Sequence, residues 1–336
     1  MMPFVSFCIK SYNHSCYVRQ ALAGAFSQTY RPMEIVIVDD NSTDGSADII
    51  REEISNYQKH GGDIPIAFVV NPRNLGNTGN WLRVCELAKG ELLIKADGDD
   101  VSLPERTEKV VSAWLKTGKR AIVVSHRGWN MTPDGHRFGV FRPISRVEPL
   151  GTAMAWRPEC LTAFDNDIDG FKFYDDDVFA RRARMLDGYK TADGLVLSGE
   201  VVMDEPLIEY RVGTGASTSM FDFKKAMRSC HEHILIGLEQ ARKDLVTARK
   251  WLDETKENLL AESFSREERV SRDWLDLHFS TRFRKRIEAY GRLKAGPILS
   301  PYRLQQIACL LPPCLSAAVL NLYLRLNYVR RRWLSR

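Results

Sequence analysis

What the sequence lacks narrows it first. Its seven cysteines (Cys8, Cys16, Cys85, Cys160, Cys230, Cys309 and Cys314) contain no C-x-x-C pair. An odd number scattered over 336 residues reads as reduced thiols in a cytoplasmic protein, not as a disulfide framework or a zinc site. Met1–Lys10 has no basic segment ahead of an apolar one, so it does not read as a signal peptide. The longest uncharged apolar stretch, Ile307–Leu324, is interrupted by Pro312-Pro313, so no convincing transmembrane helix is read. There is no internal repeat and no low-complexity tract. No Gly-rich, Lys/Arg-bearing phosphate loop follows the first apolar run; Ser11-Tyr12-Asn13 stands there, which argues against a nucleotidyltransferase. His126, His136, His231 and His233 have no metal-ligand company and read as structural or solvated.

Acids are scarce at the carboxyl end. Residues 281–336 hold twelve Lys/Arg against Glu288 alone, a net +11, which leaves −6 of the chain's +5 on residues 1–280. A basic tail on an acidic body predicts an anionic partner surface. Leu315, Val319, Leu322, Tyr323 and Leu326 repeat at helical spacing beside Arg325, Arg330-Arg331-Arg332 and Trp333. That is the pattern of a helix lying at a membrane interface, and equally of a helix packed on the protein body. Nucleic acid is not expected, because the aromatics are not interleaved with base-reading polar residues.

What is present is a repeated pattern. Apolar runs of strand length occur at Phe4–Ile9, Glu34–Val38, Ile66–Val70 and Glu91–Ala96. Each of the first three is followed by a polar loop and a helical stretch: Val18–Phe26, Ala47–Ile54 and Thr78–Ala88. The repetition predicts βαβ units, a mostly parallel Rossmann-like sheet and an α/β fold class. The loops then meet at the carboxyl ends of the strands, where such sheets bind ligands. Further on, Thr107–Leu115 reads as a helix, Ala121–Ser125 as a strand, and Trp129–Phe141 as a hairpin around Pro133-Asp134-Gly135. Val178–Leu186 reads as a helix, and Asp193–Val202 and Leu207–Tyr210 as two edge strands. Lys224 to about Leu260 and Arg266 to about Lys294 read as long charged helices. The expected organisation is an α/β domain at 1–220, a helical extension at 221–300 and a basic amphipathic tail at 301–336.

The fourth strand delivers Lys95-Ala96-Asp97-Gly98-Asp99-Asp100. Ser102, Pro104 and Glu105 then have the spacing of a capping box opening a helix. Three acids within four residues repel one another unless a cation sits among them. A hard divalent ion, Mg²⁺ or Mn²⁺, bound to oxygen and to a phosphate would serve. An isolated D-x-D motif would be no more than a solvated turn.

Further pieces change that balance. Val5–Asn13, Gln28-Thr29-Tyr30, Glu34–Asp44, Asn71–Asn80, Lys89-Gly90-Glu91, Asp97–Asp100, and Asp175-Asp176 with Phe179 and Arg182 occur in a set order. In that order and spacing, over residues 3–215, the chain resembles the family 2 glycosyltransferases of the GT-A fold. The resemblance implies an inverting transfer of a sugar from a nucleoside diphosphate donor, a UDP- or dTDP-sugar, to a hydroxyl of a glycan or lipid-linked acceptor. It implies that Asp40 contacts the base, with Ser11, Tyr12 and Asn71 lining the same donor pocket. Asp99 becomes the direct metal ligand, and Asp97 reaches the ribose or a metal-bound water. Asp176 becomes the general base. Thr78-Gly79-Asn80 stands where many members have Ala-Arg-Asn, so the donor contacts of that Arg do not carry over. Arg211 could lie near the diphosphate or make a structural ion pair. A catalytically inactive nucleotide-sugar-binding module is the alternative from another class. The expected location is the cytoplasm, peripheral at the cytoplasmic face of the membrane.

Overall fold

A computed structural model describes residues 2–141, 151–164, 175–214, 223–280 and 282–294. These residues group into two compact units. One comprises residues up to Arg211 together with Lys243–Asp253; the other comprises Val212–Arg242 and residues from Glu254 onward.

The first unit opens with β1 (Val5–Ser11), α1 (Val18–Phe26), β2 (Met33–Asp39), α2 (Ser46–Lys59), β3 (Ile66–Val70), α3 (Gly76–Leu87) and β4 (Leu93–Asp97). β1 and β2 are buried along their whole length, as their unbroken apolar runs require. β1 pairs in parallel with β2 on one side and β4 on the other, and β2 pairs in parallel with β3. The order β3-β2-β1-β4 therefore reverses direction between β1 and β4. That reversal opens a crevice at the carboxyl ends of β1 and β4, the place where open α/β sheets bind ligands.

The chain continues with β5 (Val101–Ser102), α4 (Arg106–Leu115), β6 (Val123–Met131) and β7 (Arg137–Phe141). A 3₁₀ turn (Gly151–Ala153) leads into β8 (Met154–Trp156), followed by α5 (Glu159–Thr162), α6 (Asp175–Met185) and β9 (Glu200–Arg211). β8 runs antiparallel between β4 and β6, β6 pairs in parallel with β9, and β5 closes the edge against β9. One face of the sheet packs Phe7, Ile9, Leu22, Ile35, Ile37, Ile94 and Trp114, all at most 1% exposed, and Cys8, Val36 and Val38 on the opposite face are buried as well.

Two of the pieces named in the sequence, Gln28 and Glu34, are braces. Gln28 donates to the Gly24 and Leu103 carbonyls and accepts from the Thr107 amide and hydroxyl, tying the end of α1 to the start of α4. Glu34 accepts from the Ser6 hydroxyl and the Lys89 amide, both at 2.7 Å, which fixes the entry to β4.

The structure differs from the sequence reading at three places. The capping box does not form: α4 starts at Arg106, and Ser102 lies in β5 and accepts from the Arg106 guanidinium at 2.8 Å. The two expected edge strands are one strand, β9, which runs through Pro206; the pairing with β6 shifts register at His126/Arg127, the irregularity that accommodates a residue unable to donate. The long helices break elsewhere: α7 spans Phe223–Ala248, α8 Glu254–Phe279 and α9 Phe283–Lys294. The first break is fixed within the first unit by Trp251, whose indole N–H donates to the Met185 carbonyl and whose ring meets Phe164 and Tyr189 edge-on.

In the second unit, Trp274 of α8 is stacked between His231 of α7, at 5.7 Å, and His278, at 5.1 Å. Burial lowers the His231 pKa to about 4, so this imidazole is neutral. No helix among the described residues is long and apolar enough to cross a membrane. The expected tail helix, Leu315–Trp333, lies outside them.

Candidate active site

The crevice is built from the ends of β1, β2 and β4. Ser11 ends β1; its hydroxyl is buried and makes no hydrogen bond among the described residues. Its carbonyl accepts from the Asp40 amide at 2.8 Å and the Asn80 side chain at 3.3 Å. Tyr12 follows and is 43% exposed, so its ring is available to a ligand. Asp40 is 2% exposed. Its Oδ1 accepts from the Asn71 side chain and the Leu75 amide, both at 2.8 Å, and its Oδ2 accepts from the Gly76 amide at 2.9 Å. Asp40 thus holds the loop before α3, and three of its roughly four acceptor positions are used. Asn71 joins it to Asn80 at 3.2 Å. Four of the residues expected in the donor pocket, Ser11, Tyr12, Asp40 and Asn71, are therefore together.

Asp97 ends β4. Its Oδ1 is 3.4 Å from the Lys10 ammonium, is buried and accepts no hydrogen bond. Lys10 also donates to Asn77 of α3, linking the acidic turn to the donor loop. Gly98 makes the turn possible: its amide donates to the Lys10 carbonyl at 2.9 Å, and a Cβ there would lie 2.6 Å from His14 Nδ1. His14 Nε2 is 3.9 Å from Asp99 Oδ1. Asp100 is 4% exposed, and its carboxyl pKa is pushed well up, first by burial and then by the charges of Asp99 and Asp97.

Asp99 and Asp97 suit a hard divalent ion. Their donors are carboxylate oxygens, and Asp97 Oδ1 is a buried acceptor with no hydrogen bond. Among the described residues no three acids, histidines or cysteines converge into a closed cage. An ion here would complete its shell from phosphate oxygens and water, the usual habit of Mg²⁺.

Asp176 lies in the first turn of α6. Its Oδ2 accepts from the Gly151 amide at 3.0 Å. Arg106 joins that 3₁₀ turn to β4, donating to the Thr152 and Lys95 carbonyls, both at 2.7 Å. Burial pushes the pKa of the Tyr210 phenol far up, and the charges of Asp100, Asp99, Asp97 and Asp176 add to it. The structure therefore brings Asp176 and the acidic turn into one neighbourhood.

The profile of glycosyl transferase family 2 matches residues 6–177, half of the chain. The chain belongs to glycosyl transferase family 2. Relatives include an uncharacterized glycosyltransferase of Haemophilus influenzae, 29% identical over 125 residues, covering 37% of this chain and 46% of the relative. Another, of Methanocaldococcus jannaschii, is 32% identical over 108 residues, covering 32% of this chain and 36% of the relative. The chain spans less than half the length of these two relatives. S. aureus TarS 1-349, solved with UDP-GlcNAc, superposes with a TM-score of 0.55 at 19% identity, over 98% of this chain and 89% of that one. The mannosyltransferase PcManGT of Pyrobaculum calidifontis, solved with GDP-Man and Mn²⁺, gives 0.52 at 18% identity, over 96% and 88%. At these identities the likeness is one of fold, and the fold is GT-A-like.

Arg211 packs against the acidic turn. Its Nε donates to the Asp99 carbonyl at 2.9 Å, its amide to Asp100 Oδ1 at 2.8 Å, and its guanidinium lies over Tyr17 at 4.5 Å. These contacts brace the acidic turn. Sequence reasoning passed over Lys10, Lys95 and Arg106. The signal was a lysine inside an apolar run, Phe7-Cys8-Ile9-Lys10 and Leu93-Ile94-Lys95, which a buried strand does not hold without cause. His126 is confirmed as structural: burial and the Arg106 charge lower its pKa well down, and its Nε2 accepts from Arg106 Nε at 2.9 Å.

Proposed function

We propose that this family 2 enzyme transfers a sugar from a nucleoside diphosphate donor to a hydroxyl of a glycan or lipid-linked acceptor, with inversion and Asp176 as general base. The observation that carries this reading is the bridge from Asp176 through Gly151 and Thr152 to Arg106 and the end of β4. It supports a base and an acidic turn serving one reaction.

Ser11, Tyr12, Asp40, Asn71 and Asp97 form the donor side. Tyr12 stacks on the base, and the remaining acceptor position of Asp40 takes a base N–H. A pyrimidine donor, UDP- or dTDP-linked, suits that pairing; TarS is solved with UDP-GlcNAc. Asp97 and Asp99 hold Mg²⁺ or Mn²⁺, which when bound supplies Lewis-acid stabilisation of the leaving diphosphate. Asp176 takes the proton of the acceptor hydroxyl as its oxygen attacks the anomeric carbon, a single displacement that inverts the centre. The domain division at 1–220, 221–300 and 301–336 is proposed with it, the last segment docking on an anionic membrane surface through its net +11 neighbourhood.

The test is a thermal-shift panel of UDP-, dTDP- and GDP-sugars with Mn²⁺ or Mg²⁺. A ligand that binds only the native state raises Tm. A metal-dependent rise with a pyrimidine sugar nucleotide supports the donor assignment; a rise with purine donors alone overturns it.

A further inference from the structure

Lys95 is 2% exposed in the middle of β4. An ammonium at such depth needs compensation. One part is aromatic: Nζ lies 5.2 Å from the centre of the Trp81 ring. Its backbone carbonyl is held by Arg106, which fixes where the side chain starts.

The proposed base also lies close to it. A Cβ built on Gly151 would fall 2.5 Å from Lys95 Nζ, 3.0 Å from Asp176 Cβ and 3.2 Å from Asp176 Oδ2. The ammonium and the carboxylate therefore face one another across a position where only glycine leaves room. They are separated by no more than the sum of the two short distances to that point. The Gly151 amide donates to the same Asp176 oxygen.

On the Asp176 helix, Asp177 pairs with Arg181. Asp97, Asp99 and Asp100 share the Asp176 neighbourhood from β4 and the following turn, and Tyr210 from β9 adds a phenol. Like charges disfavour ionisation, and a nearby cation restores it. Arg106 reaches only carbonyls, a hydroxyl and His126 in its hydrogen bonds.

We infer that Lys95 is a positioning residue for Asp176: its buried ammonium, aimed across Gly151, keeps that carboxylate charged and oriented for the acceptor hydroxyl. The inference rests on the reading of Asp176 as the base. Lys95 itself touches no reacting atom.

The test uses the full chain labelled with ¹³Cγ-aspartate and titrated by NMR, with the Asp176 resonance assigned by its loss in Asp176→Asn. Lys95→Met and Lys95→Gln are compared with the wild type, and their folding is checked by thermal melting. Removing a cation disfavours the charged carboxylate, so the Asp176 midpoint should rise by about 1–3 pH units in both variants. The Asp44 midpoint should stay where it is. An unmoved Asp176 midpoint in folded variants overturns the inference. So does loss of the fold in both, which makes Lys95 a core strut. Wild-type sugar transfer by Asp176→Asn would instead remove the base assignment on which the inference stands, whatever the titration shows.

Discussion

The Arg182 guanidinium grips the Asp244 carboxylate with two hydrogen bonds, Nε to Oδ2 at 2.7 Å and a terminal nitrogen to Oδ1 at 2.9 Å. Both side chains are buried, at 0% and 3% exposed. The guanidinium also lies 4.8 Å from the centre of the Phe164 ring. Arg182 sits on α6, the helix whose first turn carries Asp176, so this pair fixes the helix carrying the proposed base. Its charge has no route to water once the partner is gone.

Asp244→Ala should therefore cost about 3–5 kcal/mol, the usual penalty for leaving one buried charge without its partner. Urea unfolding is the measurement. The double variant Arg182→Met/Asp244→Leu should recover most of the loss, since two apolar side chains leave no charge uncompensated. A single variant as stable as the wild type would mean that water reaches Arg182.

Asp44 sets an acid limit. Its carboxylate accepts from the Ser15 and Ser46 amides and the Ser46 hydroxyl, joining the loop after β1 to the start of α2. Burial works against it, yet these hydrogen bonds bring its pKa down to about 2. The folded pKa lies below the unfolded value of about 3.9, so the contribution is full above that value and lost as pH falls toward 2. The group is exposed, so solvent screening keeps the effect on the order of 1 kcal/mol. Asp44→Ala should lower Tm by a few degrees at pH 6, and the gap should close by pH 2.

Asp99→Ala tests the ion site. Metal-dependent donor binding should disappear while the fold stays, because the backbone carbonyl that Arg211 holds is unchanged. Calorimetry with a nucleotide sugar and Mn²⁺ reads this. Unchanged affinity and metal dependence would move the ion elsewhere.

The tail is tested by sedimentation with phosphatidylserine vesicles in low salt. Removing residues 301–336 should weaken binding, and added salt should weaken it in the full chain. Equal sedimentation of both forms would exclude the tail as the membrane contact.

Much of the first unit was legible because buried parallel strands are unbroken apolar runs and their loops are polar. Ile66–Val70 and Val18–Phe26 have the bounds the pattern predicts. β9 was not legible as one strand, because Pro206 reads as a break and the bulge that tolerates it is a property of its pairing with β6. The gap between α7 and α8 depends on where Trp251 packs, which lies in no local periodicity. At the site, the acids and the donor loop stood out as polar residues at strand ends. The cations did not: Lys95 and Arg106 gain their meaning only when Gly151 and Thr152, some fifty residues on, fold back against them. Arg211 carried two readings because its partners are backbone carbonyls, which no side-chain pattern announces.

The central claim is that Asp176 is the base, and it has a direct test. A group that acts only on the acceptor proton stabilises the transition state without holding the donor. Asp176→Asn keeps the size and removes the proton-accepting charge. Single-turnover sugar transfer at saturating donor should fall by roughly 10²–10⁴-fold, with donor affinity by calorimetry unchanged. Transfer at the wild-type rate, or a loss confined to donor affinity, would contradict the account.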